Sequence, residues 1–211
     1  CARRQCFEDT RLRGEVVQIQ GGGIYGHESV SMASQAIGQD LVTLLIAVPL
    51  LLVAMRTVSA GSVRRLLLRT GLLAYFAYTY LLMAFGGAYN ELFLVYVALF
   101  SASSLAFVLS IVSIDPDRLR GQFGARFAPR AVGWSLVGFG ALLALLWLGR
   151  ILPALLTGKT PPGLDSDTTL FVQAGDLGII IPAAVLAGVL LMRRWAIGYL
   201  LSAVMLVNAS T

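Results

Sequence analysis

The chain has 211 residues, of which 57% are hydrophobic and only 13% are charged, and its formal net charge is +5. An average soluble domain carries about 25% charged residues, so the composition excludes an ordinary soluble domain and favours a protein embedded in a lipid bilayer. Since the basic residues lie in short loops between apolar stretches, the positive charge indicates membrane topology and not a nucleic-acid partner.

Six apolar stretches match the length of about 20 residues that a helix needs to cross a hydrocarbon core of about 30 Å, or come close to it. They cover residues 37–56, 69–88, 91–114, 131–156, 169–192 and 195–211. The sequence therefore predicts an all-α, polytopic transmembrane helix bundle over 37–211, preceded by an extracytoplasmic segment over 1–36. Because the last stretch ends while still apolar and the first residue is Cys1, we expect the native chain to extend beyond one or both ends.

The N-terminal segment carries both cysteines, Cys1 and Cys6, and the single histidine, His27. The cysteines can form a disulfide if this segment is extracytoplasmic, but without partners at ligand spacing they make a poor metal site. We therefore predict neither a metal nor a cofactor. The glycines at 21–23 indicate a flexible turn, and residues 29–40 predict an interfacial helix that continues into the first span. His27 and Glu28 can face the polar cluster described below.

Ten arginines fall in alternate loops between the predicted spans. They are Arg56, Arg64, Arg65, Arg69, Arg118, Arg120, Arg126, Arg130, Arg193 and Arg194. By the positive-inside rule the loops 56–69, 115–130 and 193–194 face the cytoplasm of a bacterial cell, with the bundle in the inner membrane. The N-terminal segment is an exception, since it carries four arginines on the predicted outer side, and a missing upstream span would explain them.

Polar side chains collect near the predicted outer ends of four spans. At 1.5 Å per residue they lie roughly 24 to 35 Å from the cytoplasmic boundary. They are Gln39, Asp40, Asn90, Glu91, Arg150, Gln173 and Asp176. Two interpretations are open: these side chains cap helix ends, where they satisfy free N–H groups and the helix dipole, or they line an outward-facing polar pocket.

Asp176 is the residue that capping explains least well, because Asp167 or Thr168 is the natural cap of its span and Asp176 follows about two turns later. It shares a helical face with Gln173. A carboxylate at that depth needs a partner or a water-filled cavity. Since Arg150 is the single cation near these outer ends, we expect it to pair with Asp176, or else with Glu91.

Tyr75 and Tyr78 lie on one face of the second span, within the bilayer. Buried hydroxyls need acceptors, so the favoured interpretation is a hydrogen bond to a neighbouring helix, and the alternative is that they line a central cavity. Small-residue faces on the third and fourth spans predict close helix packing. They comprise Ser103, Ala106, Ser110 and Ser113, and Gly133, Gly138, Gly140 and Gly149.

The first and fifth spans contain similar strings, GQDLVTLLIAVPLLLVAMR and GDLGIIIPAAVLAGVLLMRR. A parallel internal repeat would produce such a match between spans that run in the same direction. The prolines differ in register, however, since Pro49 follows Asp40 by nine residues (40 to 49) and Pro182 follows Asp176 by six (176 to 182). A chance match between apolar sequences therefore stays an alternative, and each proline predicts a kink.

The strings GQDLVTLLIAVPLLL, YNELFLVYVALFS and TTLFVQAGDLG resemble segments of an uncharacterised family of bacterial polytopic integral membrane proteins. The resemblance covers most of residues 20–205. It implies a bacterial inner-membrane location and that the polar outer ends belong together, and it implies no activity, substrate or catalytic residue.

Three functions fit these observations. The first is small-solute binding or transport through an outward-facing polar pocket. The second is a non-catalytic accessory or scaffold subunit that contacts other membrane subunits, or a second copy, through its small-residue faces. An intramembrane enzyme ranks third, because the predicted spans contain no nucleophile–base pair, HExxH-type helix or paired histidine.

Overall fold

The computed structural model describes residues 7–10, 16–56, 62–124, 126–164 and 167–210, and over these ranges it is mostly helical. The helices are α1 (Val30–Arg56), α2 (Val63–Gly86), α3 (Phe93–Val112), α4 (Pro116–Arg120), α5 (Pro129–Thr157), α6 (Phe171–Met192) and α7 (Ala196–Ser210). The predicted all-α bundle is confirmed. Cys1 and Cys6, for which the sequence left a disulfide open, lie outside the described residues.

Five of these helices, α1, α2, α3, α5 and α6, are long and apolar enough to cross a membrane. Helix α7 has 15 residues, which at 1.5 Å per residue spans roughly 22 Å, and it is shorter than each of these five. Helix α1 begins at Val30 rather than at 37 because the Ser29 hydroxyl caps it by accepting a hydrogen bond from the Met32 N–H at 3.1 Å. The helix predicted over 29–40 therefore does continue into the first span.

The N-terminal segment contains a small antiparallel hairpin, which no pattern in the sequence predicted. Its strands are β1 (Phe7–Thr10) and β2 (Val16–Ile19), with Phe7 paired to Ile19 and Thr10 to Val16. Ile19 is fully buried and also bridges to Ser29. The hairpin thereby lies next to the start of α1.

Helix α2 lies at the centre of the bundle, where it packs against α1, α3, α7 and the first turn of α6. Helix α7 in turn packs against α6, and α6 packs against α5. Small residues allow the close approaches that the sequence predicted: Gly133 of α5 faces the backbone of Gly188 in α6, and the Ser110 hydroxyl of α3 bonds that of Thr70 in α2 at 2.6 Å. Gly138 and Gly149, by contrast, face open space.

The two ends of the bundle differ in their charged residues. The arginine end carries the Arg-rich loops and α4, whose Leu119 is buried against α7 in a cluster that includes Tyr199. The opposite end, which we call the acidic end, carries Glu28, Asp40 and Glu91. The helices therefore hold these three acids and most of the described arginines at opposite ends of the bundle, whereas Asp115 and Asp117 lie at the arginine end with α4.

Helices α1 and α6 each contain a five-residue π-helical segment, Thr43–Ala47 and Asp176–Ile180. Each segment ends two residues before a proline (47 to 49 and 180 to 182). Proline has no N–H to donate and its ring crowds the carbonyl four residues earlier, so a locally widened turn relieves the backbone. When the two helices are aligned on their prolines, Thr43 corresponds to Asp176 and Asp40 corresponds to Gln173.

Candidate functional site

A cavity of about 180 Å³ lies at the acidic end, where the loop before α1 meets α1, α2, α3 and the start of α6. We call it the acidic-end pocket. It is lined by Tyr25, Glu28, Met32, Gln35, Ala36, Gln39, Leu82, Met83, Gly87, Asn90, Tyr96, Phe171 and Val172. Its walls are mostly apolar with a few polar groups, which is the usual composition of a small-molecule site.

The loop over 20–29 places Glu28 in the wall of the pocket. Gly21 and Gly23 adopt positive φ angles of 71° and 75°, which glycine tolerates best. The resulting turn is closed by a hydrogen bond from the Gly21 N–H to the Gly26 carbonyl at 3.0 Å, and the Gln20 N–H donates to the Glu28 carbonyl at 2.9 Å. The segment predicted as a flexible turn is therefore folded against the helices.

The Glu28 side chain is only 5% exposed. Its Oε1 accepts a hydrogen bond from the backbone N–H of Ala88, in the turn between α2 and α3, at 2.5 Å. Its Oε2 is buried and has no hydrogen-bond partner among the described residues. A buried acceptor without a donor is costly, so this oxygen marks a place where an incoming donor would be stabilised.

Tyr25 connects the loop to two helices. Its hydroxyl donates to Asp40 Oδ2 of α1 at 2.7 Å and lies 3.3 Å from the Tyr96 hydroxyl of α3. Burial raises the pKa of the Tyr25 hydroxyl, and the hydrogen bonds to Tyr96 and Asp40 raise it further. Tyr25 therefore stays a neutral donor to Asp40 and fixes one wall of the pocket.

A second group of hydrogen bonds lies below the pocket, between α1 and α2. The Gln39 amide donates to the Tyr75 hydroxyl, and Thr43 Oγ1 lies 2.8 Å from the same hydroxyl. Tyr75 of α2 thus bonds to its neighbour α1, which agrees with the favoured interpretation that its hydroxyl bonds to a neighbouring helix. Nearby, the ring of Tyr80 stacks on Tyr96 with centroids 6.2 Å apart.

Asp176 forms a separate polar site, at the first residue of the π-helical segment of α6. Its Oδ1 accepts from the Tyr78 hydroxyl at 2.5 Å and its Oδ2 accepts from the Trp147 indole Nε1 at 2.9 Å. Both carboxylate oxygens therefore have neutral donors, one from α2 and one from α5. Tyr78 also lines an apolar crevice of about 310 Å³ between α2, α3, α6 and α7.

The predicted pairing of Arg150 with Asp176, or else with Glu91, is wrong. The Arg150 Nε donates to the carbonyl of Pro162 at 2.6 Å, and its guanidinium lies against Gly163 in the loop after α5. Trp147, about one turn earlier on α5, occupies the position beside Asp176 that we expected Arg150 to take. Glu91 is exposed.

The other predicted site residues are distributed as follows. Gln39 and Asn90 line the acidic-end pocket, and Asp40 is connected to it through Tyr25. Asn90 also has the capping role, since its Oδ1 accepts from the Leu92 N–H at 2.9 Å. Gln173 is buried but is not part of the described lining.

Sequence reasoning missed three aromatic residues that complete these sites: Tyr25, Tyr96 and Trp147. Each lies in a glycine-rich or apolar stretch and has no motif around it. Their partners Asp40 and Asp176 did indicate that such residues exist, because a buried carboxylate needs hydrogen-bond donors. A Tyr or Trp at matching depth on another span can supply one.

The described residues contain no group of three or more His, Cys, Asp or Glu side chains arranged to hold a metal ion. Comparison of the chain with models of known protein families, with curated proteins and with solved structures finds no match. The resemblance to bacterial polytopic membrane proteins therefore stays a prediction.

Proposed function

We propose that this chain is a bacterial inner-membrane protein that binds a small organic solute in the acidic-end pocket, as a binding protein or as part of a transport cycle. The observation that carries the proposal is the buried Glu28 Oε2, which lacks a partner among the described residues, in a residue that lines a mostly apolar cavity. An engineered cavity of about 150 Å³ holds benzene. A cavity of about 180 Å³ therefore has room for a solute of one substituted ring.

The position of the pocket supports access from outside the cell. It lies at the end of the bundle opposite the Arg-rich loops, and the positive-inside rule assigns those loops to the cytoplasm. Proline-interrupted helices are the places where transmembrane helices bend most readily. Two of them, α1 and α6, border the pocket and are anchored to α2 below it, which is the arrangement that a transport step would use.

A thermal-shift experiment tests solute binding. The purified chain in detergent is heated with a panel of neutral, cationic and anionic solutes, and a solute that binds the folded state raises the melting temperature. Ala36→Trp places a large ring in the pocket wall and should abolish the shift. Ile37→Trp is the matched control, because Ile37 is the next residue and is 45% exposed. The proposal fails if no solute shifts the melting temperature, or if Ala36→Trp responds like the wild type.

The orientation is tested separately by labelling single cysteines with a membrane-impermeant maleimide, after Cys1 and Cys6 have been replaced. Lys159 and Gln122 are exposed and lie in loops at opposite ends of the bundle. Lys159→Cys should react in cells whose outer membrane has been permeabilised, whereas Gln122→Cys should react only after lysis. The reverse pattern would place the acidic-end pocket on the cytoplasmic side.

The accessory or scaffold function stays the second candidate, and the surface of α1 favours it. This helix packs mainly against α2, and much of its apolar surface is exposed, including Leu44 at 64% and Leu45 at 72%. In a bilayer this surface contacts lipid or a second subunit. A photocrosslinker at Leu45 in native membranes should recover a stoichiometric partner if the chain is a subunit. Crosslinks to lipid alone would argue against it.

A further inference from the structure

We infer that the acidic-end pocket selects a small protonated amine, whose ammonium N–H donates to Glu28 Oε2 while its carbon skeleton lies among the tyrosines and methionines of the lining. This inference rests on the proposed function, because it names the chemical class of a solute that the pocket must first be shown to bind. It goes further than that function in stating the charge of the solute.

A hydrogen bond fixes the orientation of the Glu28 carboxylate. The Ala88 N–H holds Oε1 at 2.5 Å, so the carboxylate is fixed against the turn between α2 and α3. Oε2 is left without a donor among the described residues, although the side chain is 95% buried (5% exposed). A carboxylate oxygen accepts hydrogen bonds and cannot donate them. A solute that bonds to Oε2 must therefore provide the donor, and an ammonium group provides the strongest, because the hydrogen bond is charge-assisted.

The charge around the pocket is negative. Glu28 is the one charged side chain in the described lining, which contains neither arginine nor lysine. A second carboxylate, Asp40, lies directly behind Tyr25. Arg150, the cation predicted for this region, is turned toward the carbonyl of Pro162. In a site of low dielectric constant, the negative charges of these two carboxylates attract a cation and repel an anion.

The walls of the pocket are mainly aromatic and apolar. Tyr25 and Tyr96 are buried aromatic residues of the lining, and the ring of Tyr80 stacks behind Tyr96. Aromatic rings stabilise a cation that lies over their faces, by about 0.5 to 2 kcal/mol. Met32 and Met83 supply polarizable apolar surface for the carbon skeleton. The walls therefore fit an organic cation better than a bare metal ion.

The test uses three probes that share one skeleton and differ in charge: benzylammonium, benzyl alcohol and phenylacetate. Their affinities for the purified full chain in detergent are measured by isothermal titration calorimetry. We expect benzylammonium to bind at least about tenfold more tightly than either of the other probes. Glu28→Gln should weaken benzylammonium at least about tenfold, the usual minimum for a hydrogen bond to a charged group. Glu91→Gln should leave it unchanged, because Glu91 is exposed outside the pocket at the same end.

The outcomes separate this inference from the proposed function. If benzyl alcohol or phenylacetate binds as tightly as benzylammonium and Ala36→Trp blocks that binding, the pocket is a solute site but the amine class is wrong. The amine class is also overturned if Glu28→Gln binds benzylammonium like the wild type. If no probe and no member of the wider panel binds, the proposed function itself fails. Glu28→Gln retains an oxygen for the Ala88 N–H; should it nonetheless misfold, the comparison of the three probes on the wild type decides.

Discussion

Thr43 and Asp176 occupy equivalent positions in two different helices. Each is the first residue of a five-residue π-helical segment, and each lies six residues before a proline (43 to 49 and 176 to 182). Each also bonds to a tyrosine of α2, Thr43 to Tyr75 at 2.8 Å and Asp176 to Tyr78 at 2.5 Å. Because Tyr75 and Tyr78 are three residues apart, they share a helical face. Helix α2 therefore anchors the widened turns of α1 and α6 through one pair of hydroxyls.

The two tyrosine anchors should differ in strength. Tyr78→Phe removes a donor from a carboxylate and should lower the free energy of unfolding by about 1 to 3 kcal/mol. Tyr75→Phe should cost about 0.5 to 1.5 kcal/mol, because its partners are neutral and the Gln39 amide also lies 3.5 Å from Thr79 Oγ1. Reversible unfolding in mixed micelles measures both. Tyr89→Phe, at a residue that is 78% exposed, is the control; an effect of Tyr78→Phe no larger than this control would contradict the prediction.

The partners of Asp176 can be separated by double-mutant cycles. Trp147→Phe combined with Asp176→Asn should show a coupling of about 0.5 to 2 kcal/mol, because the indole N–H bonds directly to the carboxylate at 2.9 Å. Arg150→Gln combined with Asp176→Asn should show a coupling near zero, since Arg150 bonds to Pro162 instead. Unfolding free energies of the single and double variants give both values. A larger coupling for Arg150 would restore the ion pair that the sequence predicted.

The contact between α5 and α6 predicts opposite effects at two glycines. A Cβ at Gly188 would lie 2.6 Å from the carbonyl oxygen of Gly133, so the helices would have to move apart. Gly188→Ala should therefore destabilise the bundle by about 1 to 3 kcal/mol, as overpacking does. Gly138→Ala, on the same pair of helices, faces open space and should be neutral or stabilising by up to about 1 kcal/mol. Equal effects in the same unfolding assay would contradict this packing.

Hydrophobic length and charge placement were sufficient to predict the apolar helices, since a span is defined by its own residues, but not the short helix α4. They also predicted that Gln39, Asp40 and Asn90 would lie at one end of the bundle. Height along a helix does not determine which direction a side chain faces around it, however. Arg150 and Asp176 have suitable heights, yet Trp147 is the residue of α5 that bonds to Asp176.

The pocket itself depends on contacts that no local pattern contains. Glu28 bonds to a backbone N–H 60 residues away, and Tyr25 approaches a tyrosine hydroxyl 71 residues away. The glycines near them are typical of a flexible turn, so the sequence could not show that the loop folds onto α1 and α3. The signal that was present is chemical: an acid and a tyrosine in a short segment need partners when they are buried.

The buried Tyr25 hydroxyl predicts a stability that depends on pH in the alkaline range. Burial, with the bonds to Tyr96 and Asp40, raises the pKa of Tyr25 in the folded state above its ordinary value of about 10. Below about pH 10 the hydroxyl is protonated in both the folded and the unfolded chain, so this contribution to stability is constant. Above about pH 10 the unfolded chain releases the proton and the folded chain retains it, so stability falls as pH rises, by up to about 1.4 kcal/mol per pH unit.

Tyr25→Phe should abolish this part of the pH dependence. The substitution also removes the hydrogen bond to Asp40, so the absolute stability of the variant should be lower below about pH 10, where the wild-type contribution is constant. The informative quantity is therefore the slope of unfolding free energy against pH between about 8 and 11, because titrating groups that do not contact Tyr25 contribute equally to both proteins. We expect the two slopes to coincide up to about pH 10 and the wild type to fall more steeply above it. Parallel slopes throughout would show that the Tyr25 hydroxyl is open to solvent, and that the loop carrying Glu28 does not close the pocket.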